Sequence, residues 1–246
     1  MIKGNVKLGG MYGMSLFVTS RCNQWCKECI MRGLMSKDRK YEMSLEELLA
    51  FIDVTEKSRY KFHYMLTGGE PLLWKNLKEG VRLLRQSASC NYLYLFTNLL
   101  NYEVLDNEIM DNLNCVKVSQ YTTNEEEIRE VKKRYGDKIK VYDRRKFWIN
   151  PKEKIDINTP VMCMNEGELL FQDYHVYSCL HSASIAAAHK DTETTICQPL
   201  ELGYLDGLDE IRKNQAKDIC SWCTSNKEVR DMMLKPEHES QLRILI

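Results

Sequence analysis

Between residues 14 and 148 strand-like and helix-like segments alternate, and this alternation limits the fold more than any other feature of the chain. Residues 14–20, 60–67, 92–98, 116–120 and 138–148 read as strands, rich in β-branched and aromatic side chains. Residues 44–57, 74–89, 104–112 and 124–135 read as helices, and Ser44 with Glu47 and Thr123 with Glu126 have capping-box spacing. Five strands, each joined to the next by a helix, predict parallel pairing through right-handed crossovers. The expected class is α/β: a partial (β/α) barrel of five or six parallel strands.

The pattern changes after Asn150. Residues 151–160 are polar and carry two prolines; a hairpin pattern (168–177), an Ala-rich turn of helix (182–189) and helices at 208–217 and 225–234 follow. A boundary near residue 155 therefore separates a barrel, residues 1–155, from a small tail domain, residues 156–246. The total of 246 residues suits one or two domains at roughly 150 residues each. Five of the ten cysteines lie in the tail, which has few strands, so a metal centre is expected to support its folding.

Lys+Arg and Asp+Glu both number 35, which leaves no global field for nucleic acid or anionic lipid. No window approaches the roughly 18 consecutive apolar residues of a membrane span. The uncharged run at residues 8–20 imitates a signal peptide, but three glycines interrupt it and no cleavage site closes it; it reads as a buried strand. The expected address is cytoplasmic, and there clustered thiols serve as ligands more often than as disulfides.

Cys22, Cys26 and Cys29 form a C-x3-C-x2-C run just after the first strand, where parallel α/β proteins place their chemistry. Such spacing lets one loop wrap three corners of an iron–sulfur cubane. No fourth cysteine is near, the next being Cys90, so one iron would stay open to a small molecule. Three cysteines alone would suit zinc equally. The second strand runs into Leu66-Thr67-Gly68-Gly69-Glu70-Pro71, whose glycines let backbone pass close to a ligand and whose Glu70 can pair with an ammonium group.

Together and in this order the two motifs resemble the radical S-adenosylmethionine (radical SAM) superfamily. The resemblance implies a [4Fe–4S] cluster on Cys22, Cys26 and Cys29, SAM on the open iron, and the methionine ammonium received by Gly68, Gly69 and Glu70. It also implies cofactor contacts at Asn98, where the family often has Thr-Asn-Gly, and at Ser119 near the ribose. Glu28 stands where the family usually has an aromatic residue beside the adenine.

The tail resembles the auxiliary-cluster segment of SPASM and Twitch radical SAM enzymes. Its cysteine, hairpin and Val176-Tyr177-Ser178-Cys179 ending, then the helix and Cys220-Ser221-Trp222-Cys223, imply a second [4Fe–4S] cluster on Cys163, Cys179, Cys220 and Cys223. Tyr174 replaces the family's turn glycine, zinc remains an alternative for the four thiols, and Cys197 is spare. The plan is similar to Twitch-type dehydrogenases of aminocyclitols such as 2-deoxy-scyllo-inosamine. It implies hydrogen abstraction from a sugar- or cyclitol-like substrate, net oxidation with the auxiliary cluster accepting the electron, and an electron donor such as flavodoxin or ferredoxin. Only 21 residues precede Cys22, which leaves no room for a leader-peptide domain, and Asp143-Arg144-Arg145-Lys146 is a candidate grip on an anionic substituent. A peptide-modifying or epimerising radical SAM enzyme is the near alternative. A non-enzymatic zinc or iron–sulfur interaction module is the distant one.

Overall fold

The computed structural model describes residues 11–24, 26, 29, 31, 40–58, 60–143, 168–177, 179 and 197–203. Eight strands form one sheet: β1 (Met11–Thr19), β2 (Lys61–Gly68), β3 (Cys90–Thr97), β4 (Cys115–Gln120), β5 (Ile139–Asp143), β6 (Glu168–Gln172), β7 (His175–Tyr177) and β8 (Cys197–Pro199). Their order is β5-β4-β3-β2-β1-β6-β7-β8. The six strands from β5 to β6 pair in parallel, and β7 and β8 are added antiparallel. This is the α/β arrangement expected, with six parallel strands.

Four helices, α1 (Leu45–Lys57), α2 (Leu77–Gln86), α3 (Asn107–Asn112) and α4 (Glu125–Tyr135), connect β1 to β5 in turn. Alternation along each strand divides the sheet into two faces. Met14, Leu16 and Val18 of β1, Phe62, Tyr64 and Leu66 of β2, and Leu93 and Leu95 of β3 join Leu48, Phe51, Leu77, Val81 and Ile128 of the helices in the main core. The intervening positions Phe17, Met65 and Leu170 join Met31, from the segment after β1, in a second, smaller cluster, against which Cys29, Tyr41, Tyr94 and Phe96 pack.

Several boundaries differ from the sequence reading for local reasons. The second helix starts at Leu77 rather than at residue 74, because the Trp74 indole is buried and donates to Met43 O at 2.8 Å. Residues 104–112 split into a 3-10 turn, Tyr102–Val104, and α3, whose N-cap Asp106 accepts from Ile109 N at 2.8 Å. Ser44 caps α1 by accepting from Glu47 N at 3.1 Å, but the Glu47 carboxylate turns away to accept from the Tyr41 hydroxyl at 2.6 Å. The Thr123–Glu126 box is not formed; Asn124 occupies the N-cap of α4 without a capping bond.

The hairpin is present, and its turn residues Asp173 and Tyr174 both have positive φ, 51° and 57°, the pairing a type I′ turn requires. It is built onto the barrel sheet, since β6 lies beside β1 in parallel with Gly13 opposite Glu168. β8, which no sequence pattern announces, pairs Cys197 with Tyr177. The boundary near residue 155, residues 144–148 of the fifth strand, Arg144 to Lys146, and the tail helices at 182–189, 208–217 and 225–234 lie outside the described residues.

Candidate metal and cofactor site

The C-terminal ends of β1 to β4 converge on one place. β1 and β2 close on each other at Thr19 and Gly68: the register shifts there, Gly68 has φ +149°, and a Cβ on it would lie 2.4 Å from Thr19 O. Only a residue without a side chain permits that approach. Two backbone bonds then hold the segment after β2 against the segment after β1, Gly69 N to Thr19 O and Glu70 N to Arg21 O, each 2.7 Å. The two motifs recognised in the sequence are thereby stitched together.

Cys22, Cys26 and Cys29 are all partly exposed on the segment after β1. The loop is wound on itself: Gln24 N donates to Cys22 Sγ at 3.4 Å, and Cys29 N donates to Cys26 O at 3.3 Å. Burial pushes the Cys22 thiol up, opposed by the Gln24 N–H bond, with Glu70 and Cys26 close enough to add to the rise. Tyr121, just beyond β4, lies near Ser119, Cys26 and Cys29. Burial and the neighbouring Cys26 push its phenol up.

Glu70 is buried at 1% exposure, and its carboxylate organises the strand ends. Oε1 accepts from Leu72 N at 3.0 Å and Thr97 Oγ1 at 2.6 Å; Oε2 accepts from Asn98 N at 2.7 Å. Burial pushes the carboxyl up, against those three bonds, which favour its charged form. A carboxylate has about four acceptor positions, so among the described residues one on Oε2 remains for a further donor. Leu99 follows with φ +67°, a left-handed conformation at the position where glycine would be at ease, and its fully buried side chain anchors the turn.

Asn98 connects these parts. Its side-chain amide donates to Asn23 Oδ1 at 2.8 Å, and Asn23 in turn donates to Asn101 Oδ1 at 2.6 Å. Ser119 ends β4 at 7% exposure. Asn124 was read only as part of a helix, yet its fully buried amide donates to Asn98 O at 2.6 Å and Ser119 O at 2.8 Å, while Oδ1 accepts from Tyr121 N at 2.8 Å. It ties together the two strand ends singled out for cofactor contact. The visible signal was an asparagine at a helix start, which ordinary capping explains equally well. Gln24, another residue without a role in the sequence reading, reaches Thr123 Oγ1 at 3.1 Å.

Residues 16–163, more than half of the chain, match the Radical SAM superfamily. The chain belongs to the radical SAM superfamily. Among solved structures it is similar to BtrN in complex with AdoMet and 2-DOIA, with TM-score 0.60 and 16% identity over 94% of this chain and 89% of that one. It is also similar to selenomethionine BtrN in an open conformation, with TM-score 0.58 and 15% identity over 90% of this chain and 97% of that one. At these identities the likeness shows the fold. No curated protein matches the sequence.

The donor set of this radical SAM chain fits a [4Fe–4S] cluster. Cys22, Cys26 and Cys29 are three partly exposed thiols on one short segment, the donor set that a cubane with one open iron takes. Among the described residues no three His, Cys, Asp or Glu side chains converge on a single-ion site. In the tail, Cys179 is buried beyond β7, while Cys163, Cys220 and Cys223 lie outside the described residues.

Proposed function

We propose that this radical SAM enzyme oxidises a small polar ring compound of the sugar or aminocyclitol kind. The observation that carries the reading is the extent of the fold likeness: 94% of the chain follows a protein solved with AdoMet and 2-DOIA, and β6, β7 and β8 continue the sheet, with Cys179 just after β7 and Cys197 in β8. When bound, the [4Fe–4S] cluster and SAM supply a 5′-deoxyadenosyl radical that takes hydrogen from an unactivated C–H bond.

The chain's own residues bind and orient. Cys22, Cys26 and Cys29 hold the cluster; Gly68 and Gly69 bring backbone close to the methionine end of SAM. Glu70 Oε2 offers its remaining acceptor position to the ammonium, with Asn98 N already fixing its direction. Asn98 and Ser119 present strand-end polar groups to the nucleoside, held in place by Asn124. Cys163, Cys179, Cys220 and Cys223 would hold a second cluster, which would supply an acceptor for the electron left on the substrate. The sheet face behind the site offers a mixed apolar and polar wall to a ring: Tyr94 under the Lys117 ammonium at 3.9 Å, Phe96, and Gln172, whose buried Oε1 has no hydrogen-bond partner among the described residues. Flavodoxin or ferredoxin is the proposed electron donor.

The test is anaerobic reconstitution, reduction with dithionite, and assay of 5′-deoxyadenosine and oxidised product across a panel of aminocyclitols and amino sugars. We expect SAM cleavage that one panel member stimulates with stoichiometric formation of its ketone, and none in Cys22→Ala/Cys26→Ala/Cys29→Ala. Cleavage that survives in that triple variant rejects the cluster assignment. Cleavage stimulated only by a peptide, or epimerised rather than oxidised product, rejects the dehydrogenase reading.

A further inference from the structure

The sheet face that bears Phe17, Met65 and Leu170 also bears two lysines. Val116 and Val118 of β4 belong to the main core, and Ile139 and Val141 of β5 belong to it or pack on it, so alternation puts Lys117 and Lys140 on the opposite face. The two are register partners on neighbouring strands. Such strands lie about 4.8 Å apart, so two ammonium groups leave the sheet side by side, an arrangement that repulsion opposes. The half-buried Lys117 rests its ammonium over the Tyr94 ring, 3.9 Å from the centroid, while Lys140 is exposed. None of the ion pairs among the described residues includes either lysine.

The same face suits a polar ring in two further ways. Phe96, the register partner of Lys117 on β3, and Tyr142, two residues after Lys140, stack with ring centroids 6.1 Å apart. Gln172, on the same face of β6 as Leu170, is 4% exposed, and its Oε1 has no hydrogen-bond partner among the described residues. Aromatic rings offer apolar contact, the amide oxygen accepts from a hydroxyl, and the two cations lack only an anion. Lys117 precedes Ser119 by two residues, about 7 Å along β4, comparable with the breadth of a six-membered ring bearing one substituent.

We propose that Lys117 and Lys140 form an anion subsite within the substrate site, so that the ring compound on which the enzyme acts carries a phosphate or carboxylate group. The inference rests on the proposed sugar- or aminocyclitol-like substrate and narrows it to anionic members of that class. Lysine meets an anion as a point charge without a fixed fork, so phosphate and carboxylate share the chemistry. An amino sugar without an anionic group would bring its ammonium against two like charges.

The experiment is isothermal titration calorimetry on anaerobically reconstituted full-length protein with SAM and no reductant, so that binding is read without turnover. D-Glucosamine and D-glucosamine 6-phosphate form the phosphate arm; D-glucose and D-glucuronate form the carboxylate arm. In one arm or both the anionic member should bind about a hundredfold more tightly than its counterpart, about tenfold for each charge-assisted contact, and the arm with the larger margin identifies the anion. Lys117→Gln and Lys140→Gln should each lower that margin about tenfold, the double variant should abolish it, and Lys117→Arg should keep most of it. Equal binding within both arms overturns the proposal, as does a margin that persists in a double variant with full iron content and the parent Tm. With reductant added, a ketone formed from the neutral or aminated member in preference to its anionic counterpart overturns the subsite and leaves the dehydrogenase reading intact. A lysine-dependent margin with epimerised rather than oxidised product supports the subsite and rejects that reading.

Discussion

Adding one methyl group at Gly68 tests how closely the two motifs must be joined. In Gly68→Ala the new Cβ would sit 2.4 Å from Thr19 O and 3.1 Å from Thr19 N, where ordinary contact begins at 3.4 Å. Both obstacles are backbone, so no side chain can swing aside, and β1 and β2 must separate by about an ångström. The bonds from Gly69 N to Thr19 O and from Glu70 N to Arg21 O lie in the path of that separation. Losing them costs about 0.5–1.5 kcal/mol each, and the positive φ adds about 1–2 kcal/mol, for a total of about 2–5 kcal/mol. Gly136→Ala is the control: its φ is +55°, but nothing lies within 4 Å of the added atom, so it carries the conformational strain alone. The two variants should differ by about 1–3 kcal/mol, which in a chain of this size is about 2–12 °C in Tm by differential scanning fluorimetry. If Gly68→Ala melts at or above Gly136→Ala, the close approach of the strands is not what holds the site.

Glu70→Ala leaves Leu72 N and Asn98 N without their acceptor; SAM affinity measured by titration should fall by about 1.5–3 kcal/mol while iron content is retained. Burial holds the Glu47 carboxyl above its ordinary value, so the folded chain keeps a proton that the unfolded chain releases. That contribution is fully present below the unfolded value of about 4.3 and is lost as pH rises through the folded one. Glu47→Gln, which can still accept from the Tyr41 hydroxyl, should remove this downward slope from the pH profile of Tm; an unchanged slope would assign it to other groups. For the tail, reconstituted protein should hold about eight irons per chain, falling to about four in Cys220→Ala/Cys223→Ala, with 5′-deoxyadenosine still formed and oxidised product lost. Product at the parent rate in a folded variant would make the tail cysteines structural.

The parallel sheet and the two motifs were legible because each is local: alternating strands and helices, a three-cysteine loop and a glycine pair all declare themselves within about ten residues. The contacts that make the motifs into one site were not. Glu70 reads as a ligand-binding carboxylate, but its bonds to Thr97 and Asn98 span 27 and 28 residues and depend on β2 and β3 being neighbours. Asn124 and Thr123 read as a helix start because that is what such residues usually do. Here tertiary bonds to Asn98 and Gln24 use the same polar atoms. The hairpin was found from its alternation, but its addition to β1 was not, since no local pattern reports which strand edge a distant segment will occupy.

The position of β1 also shapes how the protein must be made. Its register with β6 puts Gly13 opposite Glu168, so one side of this strand waits for 155 further residues to emerge. At ribosomal rates of roughly 5–20 residues per second, that wait is about 8–30 s. During it, β1 to β5 can assemble with the β1 edge open, its backbone donors and acceptors unpaired and apolar Leu16 and Phe17 alongside, ready to pair with another nascent chain. A fragment ending near residue 155 would keep that edge permanently, so the barrel cannot be excised there as a well-behaved unit. The hairpin at 168–177 is the segment whose arrival ends the hazard.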